Sequence, residues 1–237
     1  MIIYDEHIPD EIVPYIQMAQ IVSKMDYQGV YIVDMKRRKT VCATDNPLVL
    51  CGLSNQAIEE HGFPFYTNVI RDEEAPIVRA MVASLKDFYY GIPEQLRDQV
   101  VLYVSFHINN GGRQVMVTHK LSMIRVGDDK RPRLLLGMVS PSVYGSFVIH
   151  GGIVGTDHFY RFDPTQKAWV HVIPYRLSPG EVRMLHLTAQ GLSIEQIAAL
   201  MFRSPSTIKY YRRQIFKKLG VRKTSEAIAH AVNYCLI

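Results

Sequence analysis

Basic and aromatic side chains recur at helical spacing near the carboxyl end of the chain. One face of a helix predicted over 205–219 carries Ser206, Lys209, Tyr210, Arg213 and Lys217. Lysine and arginine are long donors that bond to phosphate oxygens and to base edges in the DNA major groove, which is wide enough for one helix. The chemistry that this pattern predicts is recognition of a polyanion, with double-stranded DNA as the partner.

The charge of the chain is divided in a way that favours this prediction. From Arg176 onward there are ten bases and three acids, a net charge of +7, whereas residues 1–175 hold 17 bases and 19 acids. Such asymmetry is typical of a chain whose basic part meets nucleic acid. A lone basic helix would be read as a solvated face, so the prediction also depends on the helices around it.

Helix start signals recur after residue 176. Capping residues precede four predicted helices, at Ser178, Ser193, Ser204 and Thr224. Glu181 and Gln196 complete capping boxes with the first two serines, and Gly191 and Gly220 end the first and third helices. The third helix also has an inward face, formed by Ile208, Ile215 and Leu219 with Tyr211 or the stem of Arg212. Because these local signals agree, they predict an all-α domain over 176–237.

The segments 191–198, 206–209 and 215–221 resemble the LuxR/FixJ-type (GerE) helix-turn-helix, and the resemblance covers 177–233. It implies that three residues meet bases: Lys209, Tyr210 and Arg213. It implies that three others lie near phosphates: Thr207, Arg212 and Lys217. It also implies that the fourth helix contributes to dimerisation on DNA, through Ala227, Ile228 and Ala231.

Three positions depart from the pattern of that family. Tyr211 stands where the family usually has histidine, Arg183 where a second glutamate is common, and Gly180 where arginine is frequent. The resemblance therefore does not carry over a consensus DNA site.

The first 175 residues predict mixed α and β structure. Strands are predicted over 29–34, 40–43, 100–108, 114–126 and 133–140, and helices over 10–25, 48–61 and 74–90. Two strands, then helices, then a three-stranded meander resemble a PAS-type sensor domain over 22–143. An N-terminal helical segment, 1–21, precedes it, and a β-rich extension and linker, 144–175, follows it up to a boundary at Pro174–Tyr175. The predicted fold class is α+β: a PAS-like antiparallel sheet with helices, then a four-helix domain over 176–237.

Two histidines of the meander could be taken for a metal or haem site. If the turn is Asn109–Gly112, His107 lies opposite Gln114 and His119 opposite Leu102. Five residues of strand then separate the two imidazoles by roughly 17 Å. They cannot share one ion, so we interpret both as half-exposed strand histidines.

Other sites receive little support from the sequence. Asp34 is followed by the basic run 35–39, which disfavours a phospho-receiver domain and predicts a hairpin tip. Cys42, Cys51 and Cys235 are widely spaced, and nothing near the first two lowers a thiol pKa. No nucleophile elbow, phosphate-binding loop or zinc-protease motif occurs, so we predict neither an enzyme nor a metal or cofactor, and the ligand of a PAS-like pocket is unknown.

The chain is predicted to be a cytoplasmic homodimer that regulates transcription by sequence-specific DNA binding, with RNA polymerase as a further candidate partner. No apolar run approaches the length of a membrane span, and the N-terminus lacks the pattern of a signal peptide. Two alternatives stay open: a PAS-like domain that recruits a protein rather than a small molecule, and a catalytic N-terminal domain.

Overall fold

The computed structural model describes residues 1–4, 7–25, 28–54, 56–58, 68–126, 131–172, 176–233 and 236–237. The chain divides into two compact units, Met1–Val172 and Ile173–Ile237. The connection 127–130 between two of the predicted strands, the boundary at Pro174–Tyr175 and Cys235 lie outside the described residues.

The N-terminal unit is built on one antiparallel sheet. Its strands, within the described residues, are β1 (Ile2–Ile3), β2 (Gly29–Asp34), β3 (Lys39–Ala43), β4 (Val100–Asn110), β5 (Arg113–Arg125), β6 (Pro132–Pro141), β7 (Val148–Ile153), β8 (Phe159–Asp163) and β9 (Ala168–Val172). The spatial order is β1-β3-β2-β6-β5-β4-β7-β8-β9. The prediction of an antiparallel sheet with helices is confirmed.

Strands β7 to β9 lie within the segment 144–175 and continue the sheet beyond β4. Ser105 on β4 pairs with Val148 on β7, and the two following hairpins extend the ladder outward. The last strand is fixed by Trp169, whose ring stacks on Phe88 at a centroid distance of 4.4 Å and whose Nε1 donates to Ser84 Oγ over 3.0 Å. This segment is therefore packed against a helix as well as paired in the sheet.

The predicted register of the central hairpin was wrong by two residues. The loop consists of Gly111 and Gly112 alone, and both have positive φ, so Asn110 pairs with Arg113 and His107 with Met116. Two consecutive positive φ angles suit the two-residue turn that matches strand twist, and glycine adopts them at no steric cost. Because the shift is even, every side chain still lies on the predicted face of the sheet.

Helices cover both faces of this sheet. Helix α1 (Val13–Met25), preceded by a 3-10 turn at Asp10–Ile12, packs on one face through Ile12, Ile16 and Ala19. The helix predicted over 48–61 is interrupted: α2 (Pro47–Leu50) ends where Cys51 and Gly52 take positive φ. Residues 56–58 are helical again, whereas 55 and 59–61 lie outside the described residues. Helix α3 (Ala75–Gly91) packs on the opposite face, and a second 3-10 segment, Glu94–Gln99, leads from it into β4.

The start of α3 is tied to β4 by the buried carboxylate of Glu74. This carboxylate accepts hydrogen bonds from the His107 backbone N–H over 2.6 Å and from an Arg71 guanidinium N–H over 2.5 Å, and it lies 2.8 Å from His107 Nδ1. Charged hydrogen bonds of this kind are stronger than neutral ones, so they fix the helix against the strand.

His119 is not the half-exposed strand histidine that the sequence predicted. Its side chain lies opposite Val104 with 2% of the residue exposed, and its ring stacks on Phe106 at 4.9 Å. Nδ1 lies 2.9 Å from the hydroxyl of Tyr31. Desolvation lowers the pKa of His119 to about 3, so the imidazole is neutral at physiological pH.

Burial also determines the protonation state of two cysteine thiols. Cys42 and Cys51 lie in the two cores on opposite faces of the sheet, and desolvation raises the pKa of each thiol to about 12. Neither is a thiolate at neutral pH, which removes the basis for redox sensing.

The depressed pKa of His119 predicts acid sensitivity of the N-terminal unit. An imidazole titrates at its ordinary value of 6.5 in the unfolded chain but near 3 in the folded one. Stability is therefore fully present above pH 6.5 and is lost as the pH falls, by about 2 kcal/mol between pH 7 and pH 5. Urea unfolding monitored by the fluorescence of Trp169, the single tryptophan, measures this loss.

The variant His119→Gln, which does not titrate, should flatten the pH dependence of the unfolding free energy by that amount. His158→Gln, at an exposed position, is the matched control and should keep the slope of the native chain. Equal slopes in the native chain and in His119→Gln would show that His119 does not cause the acid sensitivity.

Candidate nucleic-acid interface

The C-terminal unit contains four helices within its described residues: α4 (Pro179–Ala189), α5 (Ile194–Met201), α6 (Pro205–Leu219) and α7 (Thr224–Asn233). The first two start with the predicted capping boxes, in which Ser178 pairs with Glu181 and Ser193 with Gln196. The Ser204 hydroxyl accepts the Thr207 N–H over 3.2 Å at the start of α6. These bonds satisfy backbone donors that a helix start leaves without partners.

A residue with positive φ follows each of the first three helices. Gly191 and Gly220 take φ of 84° and 66°, as predicted, and Phe202 takes φ of 52° between α5 and α6. The prediction that Thr224 caps α7 was wrong by one position. Thr224 is the first helical residue, and the Glu226 carboxylate accepts the N–H groups of Arg222 and Lys223.

Helix α6 has the buried face that the sequence predicted. Ile208, Ile215 and Leu219 are buried, and Tyr211 packs partly against the same core. The neighbours come from the other helices of the unit: Met184, Leu185, Ile197, Ala198, Ala227 and Ala231. Burying one face fixes the rotation of α6 about its axis and turns the basic face outward.

The buried carboxylate of Glu181 joins the first helix to α6. Besides closing the capping box, it lies 2.6 Å from Lys218 Nζ, while the residue is 3% exposed. Burial alone would raise the pKa of Glu181, but hydrogen bonds from Lys218 and Ser178 more than offset it, and the net pKa is lowered. Lys218 Nζ also donates to the Arg176 carbonyl, so both bonds of this ammonium group are made within the domain.

Two of the departures from the family pattern meet in space. A Cβ atom at Gly180 would lie 3.1 Å from both Cζ and Oη of Tyr211. Such a distance is shorter than ordinary van der Waals contact, so the tyrosine ring occupies the room that glycine leaves. The third departure, Arg183, donates to the Leu200 carbonyl and so links α4 to α5.

The residues predicted to meet bases share one exposed surface. Lys209, Tyr210 and Arg213 are all exposed on α6, with Tyr210 50% exposed. Positions 209 and 213 are one turn apart, and position 210 lies beside 209, so the three side chains project together. We call this group the α6 reading face.

The residues predicted to meet phosphates flank the α6 reading face. Lys217 is exposed, whereas Thr207 and Arg212 are half-buried. Thr207 Oγ1 lies 2.9 Å from Ser204 Oγ at the helix start. Lys218, the neighbour of Lys217 in the sequence, is bonded to Glu181 instead.

Two residues predicted for dimerisation lie inside the domain. Ala227 and Ala231 are completely buried in the core of the unit, so their side chains do not form an outer surface. Ile228 is half-buried, and Val232, one turn later, is 55% exposed. This burial moves the surface that α7 can offer to a partner from the two alanines to positions 228 and 232.

An exposed aromatic residue in the turn between α5 and α6 was not among the residues predicted from the sequence. Phe202 is 88% exposed between α5 and α6, although its positive φ is uncommon for a bulky residue.

Among the described residues there is no group of three or more metal-ligating side chains. Within that same part of the chain, no helix is both long and apolar enough to span a membrane.

The close approach of Tyr211 to Gly180 predicts energetic coupling between the two positions. Gly180→Ala should stabilise α4 by up to about 1 kcal/mol through helix propensity when Tyr211 is also replaced by alanine. In the native background the new methyl group meets the ring, so we expect the gain to be smaller by about 1 kcal/mol or to become a loss. Hydrogen exchange resolved to peptides of α4 and α6 measures both effects, and additive effects would contradict the coupling.

Adjacent lysines of α6 should differ sharply in their contribution to stability. Lys218→Ala leaves the buried Glu181 carboxylate without its cation, so we expect the unfolding free energy of this unit to fall by about 2 kcal/mol. The control Lys217→Ala removes an exposed charge and should change it by less than about 0.5 kcal/mol. The same hydrogen-exchange measurement compares them, and equal losses would show that the Glu181 pair does not hold α6.

The sequence matches a protein-family model described as "Bacterial regulatory proteins, luxR family" over residues 175–231. No curated protein matches the chain. The response regulator ChrA of a heme-sensing two-component system is 40% identical over 26% of this chain and 31% of its own, with a TM-score of 0.26.

Two further solved structures are similar over most of the chain. The phage VqmA–DPO complex is 15% identical, covers 96% of this chain and 92% of its own, and has a TM-score of 0.38. Escherichia coli SdiA is 10% identical, covers 98% and 94%, and has a TM-score of 0.29. At such TM-scores these structures do not establish a shared fold. The family match and the helix geometry agree, and residues 175–231 are a LuxR-type helix-turn-helix domain of the luxR family of bacterial regulatory proteins.

Proposed function

We propose that the chain is a sequence-specific regulator of transcription that binds double-stranded DNA as a homodimer. The observation that carries this proposal is the two-sided character of α6. One side is buried among apolar residues, and the other presents the α6 reading face in a domain of net charge +7. A helix held in this way can enter the major groove without unfolding its own support.

The side chains of α6 have different roles in this proposal. Lys209, Tyr210 and Arg213 contact base edges, because they project together from one side of the helix. Thr207, Arg212 and Lys217 contact phosphates, which set the position of the helix but carry no sequence information. Their arrangement supports this division, because the side chains assigned to phosphates flank the side chains assigned to bases.

The dimer contact on DNA uses α7. Ile228 and Val232 are one turn apart and not fully covered by the core of the domain, whereas Ala227 and Ala231 support the helix from within. Two-fold pairing of α7 places two copies of α6 in successive major-groove faces, about one helical turn of DNA apart.

The N-terminal unit is the PAS-like input domain of this cytoplasmic regulator. The order of two strands, helices and a three-stranded meander supports the assignment. Its state controls how the two DNA-binding domains are presented. A regulator bound at a promoter acts on RNA polymerase, so the polymerase is the second macromolecular partner.

Selection of genomic DNA fragments by the full-length protein tests the proposed function. We expect a motif with two related half-sites, and we expect the variant Lys209→Ala/Arg213→Ala to lose it. The control variant Arg161→Ala/Lys167→Ala removes two exposed basic side chains from the N-terminal unit and should recover the same motif. Recovery of one fragment pool by all three proteins would overturn sequence-specific binding through α6.

Single substitutions should separate base contacts from phosphate contacts. Lys209→Ala or Arg213→Ala should each cost ~1–3 kcal/mol at the selected site and relax its base preference, because a specific donor is lost. Lys217→Ala should weaken binding to all sequences alike and reduce the slope of log affinity against log salt by about one. Titrations on selected and random DNA at several salt concentrations measure both, and identical profiles for the three variants would contradict the division.

A further inference from the structure

A cavity of about 720 Å³ opens between α3 and the inner face of the N-terminal sheet. Val82, Leu85 and Tyr89 line it from one side of the helix, and Val33, Met123 and Leu135 line it from β2, β5 and β6. This volume lies within the range of small-molecule sites, which are largely apolar and carry a few placed polar groups. The cavity therefore has the size and the walls for a small organic molecule.

The charged residues that line this cavity are mainly basic. Five are bases and one, Glu11, is an acid that pairs with Arg133. Lys36, Arg38 and Lys86 form no ion pair among the described residues. A cleft with apolar walls and charges of one sign concentrates ligands of the opposite sign.

The hairpin that carries two of these cations is held in place. Asp34 is fully buried at the end of β2, and its Oδ1 accepts the N–H groups of Lys36 and Arg37, each over 2.9 Å. Arg133 Nε lies 3.3 Å from the other carboxylate oxygen. Lys36 and Arg38 therefore stand on a turn whose backbone is fixed.

Tyr89 contributes to the apolar wall of this cavity. The residue is 1% exposed, and its Oη is buried rather than open to the cavity. Burial, chiefly, and the carboxylate of Asp98 raise the pKa of Tyr89, so the hydroxyl keeps its proton and adds no charge beside the cations of the cavity.

We propose that this cavity binds a small organic acid with an apolar body, whose anionic group lies toward Lys36 and Lys86 and whose apolar part lies against α3 and the sheet. The proposal rests on the proposed function, because it names the chemical class of the input that the regulator senses.

Two fluorescent probes of similar shape test the charge requirement on the full-length chain. 1-Anilinonaphthalene-8-sulfonate is an apolar anion, and N-phenyl-1-naphthylamine is its neutral counterpart. The variant Lys36→Gln/Lys86→Gln should weaken binding of the anion on the order of tenfold and change binding of the neutral probe by less than about twofold. The control Lys24→Gln/Lys167→Gln removes two exposed lysines outside the cavity lining and should behave as the native chain.

A further variant locates the probe. Leu85→Trp fills the cavity and should abolish binding of both probes, with circular dichroism confirming that the chain is folded. Unchanged binding in Leu85→Trp, or equal loss of both probes in the lysine variant, would overturn the proposal.

Probe binding is measured without DNA, so the two proposals can fail separately. Loss of the selected motif in the fragment experiment with intact probe binding would overturn the DNA-binding proposal alone. Sequence-specific DNA binding by a protein whose cavity does not distinguish the probes would overturn the ligand class alone.

Discussion

The C-terminal domain depends on one buried carboxylate. Glu181 closes the start of α4 and at the same time binds the ammonium group of Lys218 on α6, 37 positions away. A buried charge is tolerated only when it is paired and hydrogen-bonded, so each partner makes the other necessary. Because α6 cannot turn without breaking this pair, the direction of the α6 reading face depends on a residue that is buried inside the domain.

A similar constraint shapes the N-terminal sheet, where a glycine gives room to an aromatic ring. A Cβ atom at Gly137 of β6 would overlap the Tyr31 ring, so only glycine fits opposite that residue. The tyrosine hydroxyl then reaches His119 on the neighbouring strand. All six residues of β2 are buried because α1 and α3 cover the two faces of the sheet.

The features predictable from the sequence were those that local interactions decide. Capping boxes at Ser178 and Ser193 bond residues three positions apart, and the glycines at 191 and 220 act on their own backbone. The buried and basic faces of α6 also follow from the helical period alone.

The features that the sequence did not reveal depend on distant partners. Lys218 is basic, like the residues predicted to contact phosphates, and no local signal in the sequence shows that Glu181 binds it. The run Asn109–Gly112 contains two possible turns, and the choice between them depends on the pairing of whole strands. The burial of His119 follows from the helix that covers its face, which alternation within one strand cannot show.

The contacts that orient α6 limit how a signal could control DNA binding. The Glu181–Lys218 pair, the Gly180–Tyr211 packing and the apolar core all lie within residues 177–237. The contacts described for the reading helix thus come from its own unit. A ligand in the cavity beside α3 would bind far along the chain from these contacts, and a ligand shifts an equilibrium only through states that it binds differently. In the proposed regulator those states differ in how two complete DNA-binding domains are presented, rather than in whether either one is folded.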